Sequence, residues 1–380
     1  MKRCIEGSRA IAEAVGLCEP DVVAAYPITP QTHIVEELSK FVSDGQAGFQ
    51  FVRAESEFAA ASIVLGASAT GSRTYTASSS QGLLLMTEVI FTIAGMRLPV
   101  VMTVANRAVS APINIWNDNQ DYMIMRDSGW ISLFAENNQE AVDFHFIAYK
   151  LAERLKLPVM INVDGFVLTH TYEPVDIPEP ELVKKYLTKY IPDKDEILDV
   201  NNPVSLGCFV TPSDYMQIRE DLDRDLKGAK KEIKKEFLAF KNIFGRARGE
   251  LIEYYGDKKA DTVFVTMGSV VGTVKDAVDE INALKGRAAV VKLKCFRPFP
   301  SEDLRNILKN AKYIAVLDKN ISLGSEGALA TEVKAALAGH SKAKVQSFIV
   351  GLGGRDVTRA NVRNIYKIVR QSKDNLNFIY

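Results

Sequence analysis

The sequence predicts an α/β protein of two parallel-sheet domains, and three observations predict it. Short apolar runs alternate with segments of helical period through residues 22–163, and again from Asp261 onward. Runs such as Val22–Ala25, Pro99–Ala105 and Ala288–Leu293 are apolar throughout, as strands covered on both faces must be. Between the two alternations lie a connector, Thr171–Val204, with five prolines (Pro174, Pro178, Pro180, Pro192, Pro203), and a long charged helix over Ser213–Phe244. These place a boundary near Arg246 and divide the chain into 1–245 and 246–380.

In order, Ile5–Val15 has helical spacing and stops at Gly16. Val22–Ala25 is a strand, and Pro27 and Pro30 bracket the residues after it. Pro30 suits a first helical position, with Thr29 as N-cap and Ile34 and Leu38 on the buried face. A strand ending at such a helix start turns free N–H groups and the positive dipole end outward, which suits a carboxylate. Phe49–Val52 is another strand. ESEFAAASIVLGASATG, starting at Glu55, is a helix of small residues built for close packing, with Gly71 as its stop.

Arg73–Ala77 reads as a strand, Ser78–Gly82 as a polar turn, Leu83–Ala94 as an apolar helix and Pro99–Ala105 as a buried strand. A helix over Gln139–Arg154 and a strand over Pro158–Val163 complete the first alternation. Thr171–Val204 is an extended connector. The apolar end of the charged helix (Phe237, Leu238, Phe240, Ile243, Phe244) is expected to pack on the first domain or on a partner. The second domain has strands at Thr262–Met267, Ala288–Leu293, Tyr313–Leu317 and Val345–Val350. Its Gly268–Gly272 turn lacks the third glycine of a dinucleotide loop and the lysine of a Walker loop, so it is a tight βα turn.

Composition narrows the function classes. The chain has 380 residues with 47 basic and 47 acidic side chains, a balance that offers nucleic acid or an anionic membrane no electrostatic footing. The basic run Lys227–Lys235 reads as a solvated helix face. Cys4, Cys18, Cys208 and Cys295 are dispersed without CxxC spacing, against an iron–sulfur or zinc site held by this chain and for a reducing compartment. Residues 1–16 have no signal-peptide core, and Glu88, Arg97 and Pro99 interrupt the most apolar stretch, so a cytoplasmic protein without a membrane span is expected. His33, His145, His170 and His340 are far apart and read as packing or surface residues. No GxSxG or HExxH occurs.

In a parallel sheet, ligands sit beyond the strands' carboxyl ends, where the loops holding Thr29, Ser78–Gly82 and Arg107 fall. Glu57, near a helix start, either complements the dipole or is a partly buried acid for a cofactor nitrogen. Arg107 ends the strand VVMTVANR, where it suits a carboxylate or phosphate, or else pairs with Asp118 or Asp121. PINIWNDNQD (Pro112–Asp121) is polar around Trp116 and either orders itself or lines an interface.

YPITP (Tyr26–Pro30), AESEFAAA (Ala54–Ala61), TASSSQGLLLM (Thr76–Met86), ANRAVSAPINIWNDNQD (Ala105–Asp121) and DGF (Asp164–Phe166), in this order, resemble the alpha subunits of the 2-oxoacid:ferredoxin oxidoreductases, most closely the pyruvate branch. KCFRPFPSEDL (Lys294–Leu304) is similar to the transketolase C-terminal-type domain. The resemblance implies a thiamine diphosphate pyrimidine-binding-type first domain and a smaller transketolase C-terminal-like second one. It implies that Glu57, with Glu55 as the other candidate, hydrogen-bonds the aminopyrimidine, and that Thr29 and Arg107 bind the substrate carboxylate. No Gly-Asp pair here fits a diphosphate–Mg²⁺ segment. The implied partners are therefore a beta subunit carrying Mg²⁺, the diphosphate contacts and a [4Fe-4S] cluster, gamma and delta subunits with further clusters and coenzyme A contacts, and ferredoxin. A branched-chain or aryl 2-oxoacid in place of pyruvate is the nearest rival, and a non-catalytic assembly subunit the rival of another class.

Overall fold

A computed structural model describes residues 2–246 and 249–380. The first part runs β1 (Lys2–Glu6), α1 (Gly7–Leu17), β2 (Val22–Ala25), α2 (Thr32–Ser43), β3 (Gln50–Arg53), α3 (Glu57–Ala69), β4 (Thr74–Ser78), α4 (Ser80–Leu85), α5 (Thr87–Gly95) and β5 (Val101–Asn106). It continues with α6 (Gln120–Met125), β6 (Ile131–Phe134), α7 (Asn138–Leu155), β7 (Val159–Asp164), β8 (Tyr172–Asp176), α8 (Pro180–Tyr186) and α9 (Pro212–Phe244). The second part is β9 (Ile252–Gly256), β10 (Thr262–Thr266), α10 (Val270–Ala283), β11 (Ala288–Leu293), β12 (Cys295–Arg297), α11 (Ser301–Leu308), β13 (Tyr313–Asp318), α12 (Ala328–Leu337), β14 (Lys344–Ile349), α13 (Arg359–Gln371) and β15 (Leu376–Phe378).

The sequence reading of a buried parallel sheet holds in both parts. Every residue of β4, β5, β7, β10 and β11 is buried, because helices cover both faces. The first sheet has the order β12-β6-β7-β5-β4-β2-β3 and the second β15-β14-β13-β10-β11-β9. In the first, only β12 is antiparallel, and it comes from the second half of the chain to pair with β6. The long charged helix α9 packs its apolar end on α7, with Phe237 against Phe144 at 5.6 Å between ring centroids.

Three readings of local structure are corrected. Thr29 is not an N-cap and Pro30 is not a first helical residue: α2 starts at Thr32 behind Gln31. Gln31 is held instead by tertiary bonds, its Nε2 donating to Ala77 O at 2.8 Å and its Oε1 accepting from Ile28 N at 3.3 Å. The segment 26–31 is thus a loop over the sheet edge. The polar turn Ser78–Gly82 belongs largely to β4 and α4, and the apolar helix breaks at Met86 into α4 and α5. The connector 171–204 contains β8, which pairs antiparallel with β1, and the helix α8. β1, β6, β9, β12 and β15 had no sequence reading; each is three to five residues long and is defined by its partner strand.

A buried ionic network ties the two parts together. Lys292 Nζ lies 2.6 Å from both Glu136 and Glu140 at the start of α7, and Lys294 lies 3.2 Å from Glu140. Burial alone would raise the Glu140 carboxyl, but Lys294 and Lys292 outweigh it and hold it down at about 2. A carboxyl held below its unfolded value stabilises the fold above that unfolded value, and the contribution is lost as pH falls towards the folded one. Lys292→Met, which leaves Glu140 with Lys294 and Glu136 with Lys275 as their remaining cations, is expected to cost about 3 kcal/mol at neutral pH. Denaturant unfolding at pH 7 and pH 3 checks this, since the gap between variant and wild type should shrink at the lower pH.

Candidate functional site

The sheet order locates the crevice before any side chain is considered. β2 pairs with β3 on one side and β4 on the other, so the chain reverses its direction of winding between β2 and β4. Ligands of open α/β sheets lie at such a switch point, beyond the strands' carboxyl ends. The loop after β2 carries Thr29, the residues after β4 are Ser79–Gly82, and Arg107 follows the neighbouring strand β5.

Glu57 is the first residue of α3, behind the N-cap Ser56, whose Oγ accepts from Ala59 N at 3.1 Å. A dipole-complementing acid would point into water, but Glu57 is only 8% exposed. Its carboxylate meets no hydrogen-bond donor among the described residues. Gly82 lies against it: a Cβ there would fall 2.5 Å from Glu57 Oε1 and 2.6 Å from Ser78 Oγ. Beside it, Ser78 Oγ, Ser79 Oγ and Gln81 Nε2 are buried without a partner among the described residues. A buried acid, a position cleared of side chain and three unmatched polar atoms form a cradle that a polar heterocycle would complete. Glu55, by contrast, is exposed at the surface before the helix.

Arg107 does not form the ion pair considered for it. Its backbone N–H donates to Asp121 Oδ2 at 3.0 Å, while its guanidinium donates from Nη1 to Thr29 O at 2.9 Å and from Nε to Asn114 O at 3.2 Å. Of five guanidinium N–H groups, the remaining three are uncommitted among the described residues. Burial pushes its pKa below the ordinary value, which Asp121 partly offsets. The cation is thus desolvated, with Asp121 near but no carboxylate paired to the guanidinium among the described residues, a state that favours an incoming carboxylate. Thr29 enters through its carbonyl, and its side chain faces solvent.

Asp121 joins the two halves of the crevice, a role its sequence position did not reveal. It accepts from Ser80 N at 3.0 Å, Arg107 N at 3.0 Å, Tyr122 N at 2.8 Å and Asn106 Nδ2 at 3.0 Å. Burial raises its carboxyl to about 7 against the pull of those bonds. Ser80, with φ of +48°, also bonds Ala108 O at 2.5 Å, so the turn beneath Glu57 is fixed to the strand end that carries Arg107. A non-glycine residue held in the left-handed region is strain retained by its surroundings, as at ligand sites. The earlier signals were the run of polar side chains from Asn114 to Asp121 and the place of Asp121 as a candidate partner of Arg107.

That run orders itself against the second part of the chain. Asn114 Nδ2 donates to Gly353 O at 3.1 Å, Asn119 N to Lys319 O at 2.7 Å and Gly353 N to Asp118 Oδ2 at 3.2 Å. Trp116 stays half exposed and lies on Phe166, 4.5 Å between centroids. Asp164, in the DGF motif, accepts from Lys319 Nζ at 2.9 Å and from Ser269 N at 3.1 Å. Gly165 allows Pro30 to approach, since a Cβ there would sit 2.5 Å from the proline ring. A cavity of about 550 Å³ between α1, α2 and α8 includes none of Thr29, Glu57 and Arg107.

Comparison with known proteins gives the family and the fold. Residues 13–237 match the family described as pyruvate flavodoxin/ferredoxin oxidoreductase, thiamine diphosphate-binding, and residues 260–362 match pyruvate:ferredoxin oxidoreductase core domain II. The chain is 48% identical to pyruvate synthase subunit PorA of Methanocaldococcus jannaschii over 376 residues, 98% of this chain and 96% of that one. It is 43% identical to ketoisovalerate oxidoreductase subunit VorA of Pyrococcus abyssi over 366 residues, 96% and 92% of the two chains. In fold it is similar, at a TM-score of 0.74 and 20% identity, to 2-oxoglutarate:ferredoxin oxidoreductase from Magnetococcus marinus; the match covers 97% of this chain and 65% of that chain. The chain therefore belongs to the pyruvate flavodoxin/ferredoxin oxidoreductase family, of which it carries both the thiamine diphosphate-binding part and core domain II.

Proposed function

We propose that this chain is the alpha subunit of a pyruvate:ferredoxin oxidoreductase, in which coenzyme A and pyruvate give acetyl-CoA, CO₂ and reduced ferredoxin. The observation that carries the reading is the Asp121 hub, which sets a buried acid and a desolvated arginine around one crevice. The chemistry that thiamine diphosphate supplies when bound is a nucleophilic carbon and an electron sink for decarboxylation. Glu57 would hold a proton at the aminopyrimidine N1′, in the cradle beside Gly82. Arg107 would present its free N–H groups to the substrate carboxylate, fixing the bond to be broken, while Thr29 O steadies the guanidinium.

The residues present make half of a site. Diphosphate, Mg²⁺ and a [4Fe-4S] cluster are assigned to a beta subunit, and further clusters and coenzyme A contacts to gamma and delta subunits or their equivalents. In support, Phe58, Leu85 and Phe91 expose apolar surface on α3, α4 and α5, and Ile113, Ile115 and Trp116 do so on the adjoining loop. No helix among the described residues is long and apolar enough to cross a membrane. A cytoplasmic location, and a division of labour between 1–245 and 246–380, belong to the same proposal.

The test is reconstitution. The co-purified complex should reduce a viologen dye with pyruvate and coenzyme A, and the isolated chain should give no turnover; full activity from the chain alone would sink the split-site reading. A second reading keeps the chemistry on 2-ketoisovalerate, favoured by the relative named for it. Comparing kcat/KM for the two acids in the complex decides between them.

A further inference from the structure

The two histidines far apart in sequence, His33 and His170, are brought together in the fold. Their ring centroids are 4.5 Å apart, and His33 Nδ1 lies 2.7 Å from Glu6 Oε1. One ligand atom from each of Glu6, His33 and His170 lies within 4.8 Å of the other two. Three elements supply them. Glu6 ends β1 opposite Tyr172 of β8, His33 sits in the first turn of α2, and His170 precedes β8. The pairing of β1 with β8, extended by Gly7 N donating to Thr171 O at 3.1 Å, fixes Glu6 beside His170.

The surroundings of His170 are those of a ligand rather than of a packed ring. Its Nδ1 is 2.7 Å from Thr169 Oγ1, which also accepts from Phe166 N at 2.8 Å. Thr169 therefore sets the ring's orientation and leaves Nε2 as the free donor atom, the arrangement by which outer groups orient metal-bound histidines. Phe166, at 4.7 Å, closes one side of the ring. His33 remains half exposed, so water can fill a further position.

We propose that Glu6, His33 and His170 bind one divalent transition-metal ion, zinc by ligand type, as a two-histidine, one-carboxylate site with an open position. Two imidazoles exclude magnesium and calcium, which take oxygen ligands, and favour the later first-row ions. Ligands at 2.0–2.2 Å from one tetrahedral ion lie about 3.4 Å apart, so His33 Nδ1 and Glu6 Oε1, now 2.7 Å apart, part slightly while separations of up to 4.8 Å close, within the reach of side-chain rotation at a partly exposed site. An ion here clasps the first strand, the start of α2 and the turn 166–170 that follows the DGF motif. It stabilises the folded chain, because the unfolded chain holds no such constellation.

The test uses the full chain, stripped with a chelator and titrated with zinc in a calorimeter. One site per chain is expected, with His33→Ala and His170→Ala each weakening it by more than about tenfold and His340→Ala leaving it unchanged. Cobalt(II) should show d–d absorption without a thiolate-to-metal charge-transfer band. Zinc should raise the Tm of wild type and not of His33→Ala, whose exposed side chain can be lost without unfolding. Glu6→Gln serves if His170→Ala does not fold. Absence of a stoichiometric site, unchanged affinity in His33→Ala, or a thiolate band reporting Cys4 or Cys208 would overturn the proposal.

Discussion

Glu57→Gln is expected to lower kcat of the assembled complex by roughly 10³-fold, within the range of about 10²–10⁴ that a positioned proton carrier contributes. The substitution keeps the shape of the side chain, so the contact with Gly82 and the packing of α3 survive. An amide cannot exchange a proton with a ring nitrogen as a carboxyl does, and the loss should therefore fall on the chemical step. Gel filtration should show an intact complex, and KM for pyruvate should move little. Near-normal turnover would reduce Glu57 to an acid that only supports the start of its helix.

Arg107→Ala should act on the other term. Removing a charged partner from a carboxylate costs about 2–3 kcal/mol, which corresponds to roughly 30- to 150-fold in KM for the 2-oxoacid. The variant also frees the carbonyls of Thr29 and Asn114, so some loss of kcat through a looser crevice accompanies it. Arg107→Lys separates the two effects. One ammonium can meet a carboxylate but cannot span both carbonyls as the planar fork does, so it should recover part of KM only. Thr29→Ala, which alters a solvent-facing side chain and leaves the carbonyl in place, should change KM far less than Arg107→Ala. An unchanged KM in Arg107→Ala would require the carboxylate to be held elsewhere.

How much of this was legible in the sequence depended on the range of the interactions involved. Strands such as Val101–Asn106 and helices such as Asn138–Leu155 announce themselves because burial on both faces, or on one stripe, writes a local pattern. The residues around the crevice were legible as well, since short ordered motifs carry Thr29, Glu57 and Arg107. What could not be read is whatever a distant residue decides. Gln31 was passed over as an N-cap because its partners are at Ile28 and Ala77, and Pro30 then misled on the start of α2. Asp121 gathers donors from Ser80, Asn106 and Arg107, a convergence visible only once β4 and β5 lie side by side. His33 and His170 are separated in sequence by most of the first part, and only the pairing of β1 with β8 and the position of α2 bring them together.

The strand β12 has a consequence for how the protein comes into being. On a ribosome the first sheet emerges with β6 as its outermost strand, apolar but for Ser132 and with one row of backbone groups unpaired. Among the described residues that row is met by Lys294, whose carbonyl accepts from Phe134 N at 2.8 Å, and by β12, and the intervening chain includes all of α9 and the first strands of the second sheet. Every nascent molecule thus passes through a period in which a sticky edge is presented to its neighbours on the same message. Shielding that edge until β12 arrives, by a helper protein, would limit strand pairing between nascent chains.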